Sequence, residues 1–229
     1  MKKVLTIILA ISLLCIIAVG TTLTYFTDTD FDANTMTVGK VEIEQNEVFT
    51  ADAPLRPYIG EVPTSGDFDA TNNNAVTKEV TIKNTGSETA YIRTLFAFEA
   101  VNGNDPVAAK ILHVNYNSAA GTWEKLSVNP ISITRTVDGQ DTTTQYYVYS
   151  FAYNATLVGG ATSAVSLKQI ALDYQQGNDF SDAVGGKYDI LVLSQAVQFQ
   201  GFDTADAAFT AAFPVSEAKL VEWFANLNP

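Results

Sequence analysis

An all-β fold, an antiparallel sandwich closed by short C-terminal helices, is what this sequence predicts. Three observations carry it. Short segments recur whose apolar residues alternate or fill both faces, which is strand behaviour. The dipeptides Asn102-Gly103 and Asp138-Gly139 stand between such segments and tolerate the positive backbone torsions of tight hairpins. Apolar residues at helical spacing follow at the C-terminal end, where Ala205, Ala208, Phe209, Ala212 and Phe213 fall on one face.

At the N-terminal end, Lys2 and Lys3 precede a charge-free apolar run from Val4 to Val19, and small residues follow from Gly20. A basic start, an apolar middle and a small-residue exit predict a signal-peptide helix over residues 1–24. The run is shorter than the ~20 residues a helix needs to cross the hydrocarbon layer, so a retained anchor is the lesser reading. Small residues are wanted one and three positions before the cut. Thr22 and Thr24 supply them for a cut before Tyr25, Ala18 and Gly20 for a cut before Thr21. Lipidation of Cys15 is not expected, because Leu14 stands where a small residue is required.

The strands follow in order. Thr35 to Gln45 reads as the first, with Val41 and Ile43 alternating against Lys40, Glu42 and Glu44. Asp52 to Asn74, with Pro54, Pro57, Pro63 and three successive asparagines, reads as a long loop. Val76, Val80 and Ile82 share a strand face, and Asn84-Thr85-Gly86-Ser87 supplies a turn. Tyr91 to Phe98 is apolar on both faces, as a central strand is. The Asn102-Gly103 hairpin joins it to Lys110–Tyr116, and the Asp138-Gly139 hairpin joins Ile131–Val137 to Thr144–Phe151. Gly159-Gly160 turns the chain before Ala164–Leu172. Lys187 to Phe199, apolar on both faces and free of Pro and Gly, is placed at the centre of a sheet.

Helix closes the chain. Asp203 can cap a first helix whose Ala205, Ala208, Phe209, Ala212 and Phe213 form one face, and Pro214 stops it. Ser216 can cap a second, Glu217 to Asn226, with Val221 and Phe224 inward.

Composition narrows the function. The formal charge is −12, and loss of Lys2 and Lys3 with the signal leaves 11 basic against 25 acidic side chains, or −14. Nucleic acid is then no partner, because binding it rests on basic side chains releasing counterions from phosphates. The single cysteine, Cys15, leaves with the signal, which excludes thiol nucleophiles, thiolate metal sites and disulfides from the mature chain.

Certain stretches say more. Thr22-Leu23-Thr24-Tyr25-Phe26-Thr27-Asp28, followed by Asn34-Thr35-Met36-Thr37-Val38-Gly39, resembles the start of the camelysin/TasA family. The resemblance resumes at Val80 to Arg93, Gln145 to Asp173 and Lys187 to Phe213, four blocks in order. It implies a jelly-roll sandwich, export in a spore-forming Gram-positive bacterium, release by a dedicated signal peptidase with cleavage between Thr24 and Tyr25, and a place in biofilm-matrix or cell-surface fibres. The chain divides on that reading into the signal (1–24), an N-terminal assembly strand (25–38) and the sandwich with its helices (39–229). Tyr25, Phe26, Thr27, Thr29 and Phe31 are the strand-compatible residues of the assembly segment, which adds head to tail to a second copy; other matrix proteins are further partners.

No residue pattern points to catalysis. Camelysin itself is classed as a metalloprotease, but that chemistry needs two histidines one helical turn apart with a glutamate between them, and His113 is alone. His113 is expected to face solvent on a strand beside Asn115, opposite Leu112 and Val114. No serine lies in a GxSxG elbow, and no phosphate-binding glycine loop occurs. Asp28, Asp30, Asp32 and Asn34 alternate like a calcium loop, but Ala33 and Gly39 stand where its glycine and bidentate glutamate belong, so a solvated face is the expectation. Tyr146, Tyr147, Tyr149, Phe151 and Tyr153 are read as cross-strand packing, Trp123 and Trp223 as core anchors. The expected function is a non-enzymatic, cofactor-free structural protein, with a surface protease or a monomeric carbohydrate-binding module as the alternatives. The extracellular protein is expected to begin at Tyr25, with Thr21 as the other candidate start. N-terminal sequencing decides this, and intact Met1 material in the membrane would establish the anchor instead.

Overall fold

The computed structural model describes residues 27–29, 40–49, 56–64, 66–69, 73–137, 140–173 and 188–227. Its strands are β1 (Thr27–Thr29), β2 (Ile43–Phe49), β3 (Val76–Asn84), β4 (Ala90–Glu99), β5 (Leu112–Tyr116), β6 (Gly121–Lys125), β7 (Ile131–Val137), β8 (Gln140–Tyr153), β9 (Leu167–Leu172) and β10 (Ile190–Gln198); two helices follow, α1 (Ala205–Ala212) and α2 (Glu217–Ala225). All strand pairs are antiparallel. The larger sheet runs β1-β10-β4-β8, with β6 and β7 end to end on the far side of β8; the smaller runs β2-β3-β9-β5.

One apolar core joins the sheets. Ile43, Val80, Ile82, Leu112, Ile170 and Leu172 of the smaller sheet meet Ile92, Phe96, Phe98, Tyr149, Phe151 and Val192 of the larger. A second core lies on the opposite face of the larger sheet, where Leu220 and Phe224 of α2 cover Leu95, Ile131, Ile133, Val148 and Leu193. Beside it, Ala208, Phe209 and Phe213 of the α1 region cover Tyr91 and Val197. This double cover explains why β4 is buried at all nine positions from Ala90 to Phe98, as its two-faced apolar sequence requires.

Several elements differ from expectation, each for a physical reason. The first strand of the smaller sheet begins at Ile43 and runs on to Phe49. Lys40 to Glu42 precede it and are held by the turn after β3, whose Thr85 and Ser87 N–H groups donate to the Glu42 and Lys40 carbonyls at 2.8 and 2.9 Å. Gly86 sits so close there that a Cβ would collide with the Lys40 carbonyl oxygen. Asn102 and Gly103 do make a tight turn, at φ 50° and 75°, between paired Val101 and Asn104. It does not make a β4–β5 hairpin: β10 and β8 already take both edges of β4, and β5 pairs with β9 instead. β7 and β8 pair as expected up to Val137↔Gln140, while Asp138 and Gly139 themselves lie outside the described residues. Among the described residues β10 is second from the edge, not central, because only β1 follows it.

The 52–74 loop is more than a connection: Tyr58, Val62 and Phe68 pack with Ala75 and Ala171 into a small core of their own. In the helices, Thr204 rather than Asp203 is the cap of α1, since it directly precedes the first helical residue and its hydroxyl accepts from Ala207 N–H at 3.1 Å. Ser216 caps α2 as expected. Leu220 and Phe224 are the inward pair of that helix, with Val221 half-buried. Phe224 is fully buried, and truncating such a side chain costs about 3–5 kcal/mol. Phe224→Ala is therefore expected to lower the stability read from denaturant unfolding by that amount; a loss under ~1 kcal/mol would place α2 outside the core.

Candidate functional site

The open edge of the larger sheet is where the N-terminal segment meets the fold. β10 pairs with β4 along its whole length, from Ile190↔Phe98 to Gln198↔Ala90. On its other edge the described partner is β1, through Thr27↔Val197, Asp28↔Ala196 and Thr29↔Gln195. Thr27 and Thr29 of the expected assembly strand thus have a partner within their own subunit. Thr24, Tyr25, Phe26, Phe31, Asp30 and Asp32 lie outside the described residues. The calcium candidates Asp30 and Asp32 are thus outside the described residues, among which no cluster of His, Cys, Asp and Glu could hold a metal.

A polar chain closes the seam between β10 and β2. Thr94 and Ser194, both fully buried, share a hydrogen bond at 3.3 Å. Ser194 Oγ donates to Gln45 Oε1 at 2.5 Å, and Gln45 Nε2 donates to Glu47 Oε1 at 2.7 Å. Glu47 in turn pairs with Lys78, a lysine on the core face of β3 that is 4% exposed and lies over the Phe49 ring. Each buried polar group is satisfied by its neighbour, so the chain ties the sheets together where no backbone ladder does.

On the helix-covered face, Arg93 and Gln195 stand opposite one another in β4 and β10. Arg93 Nε donates to Gln195 Oε1 at 2.8 Å and Nη2 to the Phe213 carbonyl at 3.2 Å, and its guanidinium lies 4.5 Å from the Phe209 ring centre. Burial brings the Arg93 pKa down to about 10, against the pull of Glu124 and Asp206.

Where β4 ends, Arg135 pairs with Asp189 and donates to Tyr146 Oη at 3.0 Å, while Glu99 Oε2 accepts from Asp189 N–H at 3.1 Å. Burial pushes the Glu99 carboxyl above its ordinary value, the Asp189 N–H opposing. Nearby, Asp105 accepts from the Val107 and Ala108 N–H groups, from Tyr149 Oη at 2.8 Å and from Lys125 at 2.6 Å. Those contacts fill its acceptor sites, which is the arrangement of a structural carboxylate.

His113 is not solvent-facing: it is half-buried, its Nε2 is 2.9 Å from Asp173 Oδ2, and the chain leaving β9 brings the two together. The aromatic run packs as expected. Tyr146, Tyr147, Tyr149, Phe151 and Tyr153 are all buried, and Trp123 stacks between Tyr116 and Tyr149 at 5.3 and 5.5 Å. Trp223 meets the edge of Phe213 at 5.9 Å. The Arg93–Gln195 pair and the Gln45–Glu47–Lys78 chain had no motif to announce them. A lysine and an asparagine among the apolar inward positions of β3 were the one readable hint.

Compared with protein-family models, with curated proteins and with solved structures, the chain matches none. Among the described residues no helix is long and apolar enough to cross a membrane.

The raised Glu99 carboxyl has a sign that can be tested. A proton held more tightly in the folded chain contributes stability that is full below the unfolded-state pKa and is lost as pH rises through the folded-state value. Glu99→Gln is expected to raise the melting temperature at neutral pH and to leave it unchanged near about pH 3, where the parent is protonated in both states. An equal shift at both pH values would contradict this.

Proposed function

We propose that this is an exported structural protein of jelly-roll type, and that its signal-cleaved chain assembles with copies of itself into matrix or surface fibres. The observation that carries the reading is β1: Thr27 to Thr29, close after the expected cut, form the edge strand of the larger sheet, along β10. A strand held only at an edge is held by main-chain hydrogen bonds, which any chain of suitable shape can make. The segment of a second copy can therefore take the same edge. Because the donated strand and the accepting edge are different surfaces, the contact repeats head to tail and gives an open fibre, not a closed ring.

Export orders these events. While the signal is uncut, the segment is tethered at the membrane and cannot reach a neighbour; the dedicated signal peptidase frees it. Phe26 and Phe31 are its apolar anchors, one on each face of an ideal strand. The fibre is a homopolymer in this reading, open to minor matrix proteins, and involves no cofactor, catalysis or nucleic acid. Deleting Tyr25 to Asn34 is expected to give a folded monomer that forms no fibres under the electron microscope. Normal fibres from the deleted chain would mean that the subunits meet through another surface.

A further inference from the structure

Arg93, on the helix-covered face, is a buried charge that the carboxylates of Glu124 and Asp206 attract only from a distance. Arg93 is 7% exposed, and among the described residues no carboxylate lies within ion-pair distance of it. Its contacts are neutral: the Gln195 side-chain oxygen, the Phe213 carbonyl and the Phe209 ring. Gln195 is itself fully buried, and among the described residues its Nε2 has no hydrogen-bond partner. A buried cation with no anion in contact and a buried donor without an acceptor are both costly, and here they are neighbours. One carboxylate would satisfy the two together.

The position of this pair says where a carboxylate would come from. Arg93, Gln195 and Thr29 lie in one row across β4, β10 and β1, and the row ends at the sheet edge. Asp28, Asp30 and Asp32 alternate with Thr29 and Phe31, so in a strand the aspartates share one face and those residues the other. Within the subunit, Thr29 stands opposite Gln195, and Asp28 stands opposite Ala196, a residue of the apolar inner core. A slip of one residue exchanges the rows. Aspartate then comes opposite Gln195, and threonine or phenylalanine opposite the core.

We infer that Arg93 and Gln195 form a carboxylate-binding site at the edge of the larger sheet, and that its occupant is an aspartate from the 28–32 segment of a second copy, paired one residue out of register from β1. This rests on the strand-donation reading and adds to it a register and a charge. Complementarity favours this occupant, because the site is cationic and the segment is the densest run of alternating aspartates in the chain. It also distinguishes the two strands that compete for β10. The subunit's own segment is tied to the fold again at Lys40 and Glu42, whereas a second copy's segment brings no such tie to this subunit.

The test uses the full signal-cleaved chain. Gln195→Glu supplies a carboxylate to Arg93 from inside the subunit. It is expected to hold or raise the melting temperature and to slow fibre growth, followed by light scattering and microscopy, by about tenfold or more. The combined variant Asp28→Asn, Asp30→Asn, Asp32→Asn removes the incoming charge and is expected to slow growth comparably. A Gln195→Glu chain that melts lower than the parent, or that grows fibres at the parental rate, overturns the site. Parental growth of the triple variant overturns the occupant. The Tyr25–Asn34 deletion, run alongside, keeps the two readings apart: fibres lost in the deletion but parental in both charge variants refute the carboxylate site and leave strand donation standing.

Discussion

From Ala90 to Phe98, β4 buries every side chain, and a strand so placed must be covered on both faces. The rest of the chain meets that demand. The smaller sheet covers one face with Ile43, Val80, Ile82 and Leu172, and the two helices cover the other with Phe209, Leu220 and Phe224. β10 and β8 carry the same two-faced apolar character because they flank β4 and lie under the same covers. The C-terminal helices are thus the third layer of the fold, without which a row of leucines and isoleucines would face water.

Much of this was legible in the sequence. The strand periods of β3, β4, β7 and β8 and both helices follow from local spacing, because each element's pattern records which of its faces is covered. What local spacing does not record is which strand pairs with which. The Asn102-Gly103 turn has the backbone of a tight hairpin, yet the next strand crosses to the other sheet, since the occupancy of both edges of β4 is a long-range fact. β6, with Glu124 and Lys125 beside Trp123, has too little apolar content to stand out, and is a strand because β8 offers it an edge.

The candidate site was legible only in part. The segment after the expected cut stands out by its alternating aspartates and threonines, and the contact of its described residues with the fold is an edge pairing of three residues. The polar groups around that edge are another matter. Arg93 reads as an isolated charge in an apolar strand, and Gln195 as an unremarkable amide between Ser194 and Ala196; only their pairing across β4 and β10 brings cation and orphaned donor into one place. His113 fails for the same reason, because Asp173 is distant in sequence and near in space.

β8 belongs to two environments at once. Its second half pairs with β4 from Tyr146 to Ala152 and with β6 from Tyr149 to Tyr153, and is buried apart from Ala152. Its first half pairs with β7 alone, and from Gln140 to Thr143 every residue is exposed; Thr134 and Thr143 join across that ribbon at 2.8 Å. A two-stranded ribbon has little stability of its own. Amide protons along this one strand therefore divide into two classes: those of the outer half exchange with solvent through local opening, and those of the inner half exchange only when the whole domain unfolds. The boundary falls at Tyr146, where the ribbon enters the body of the protein.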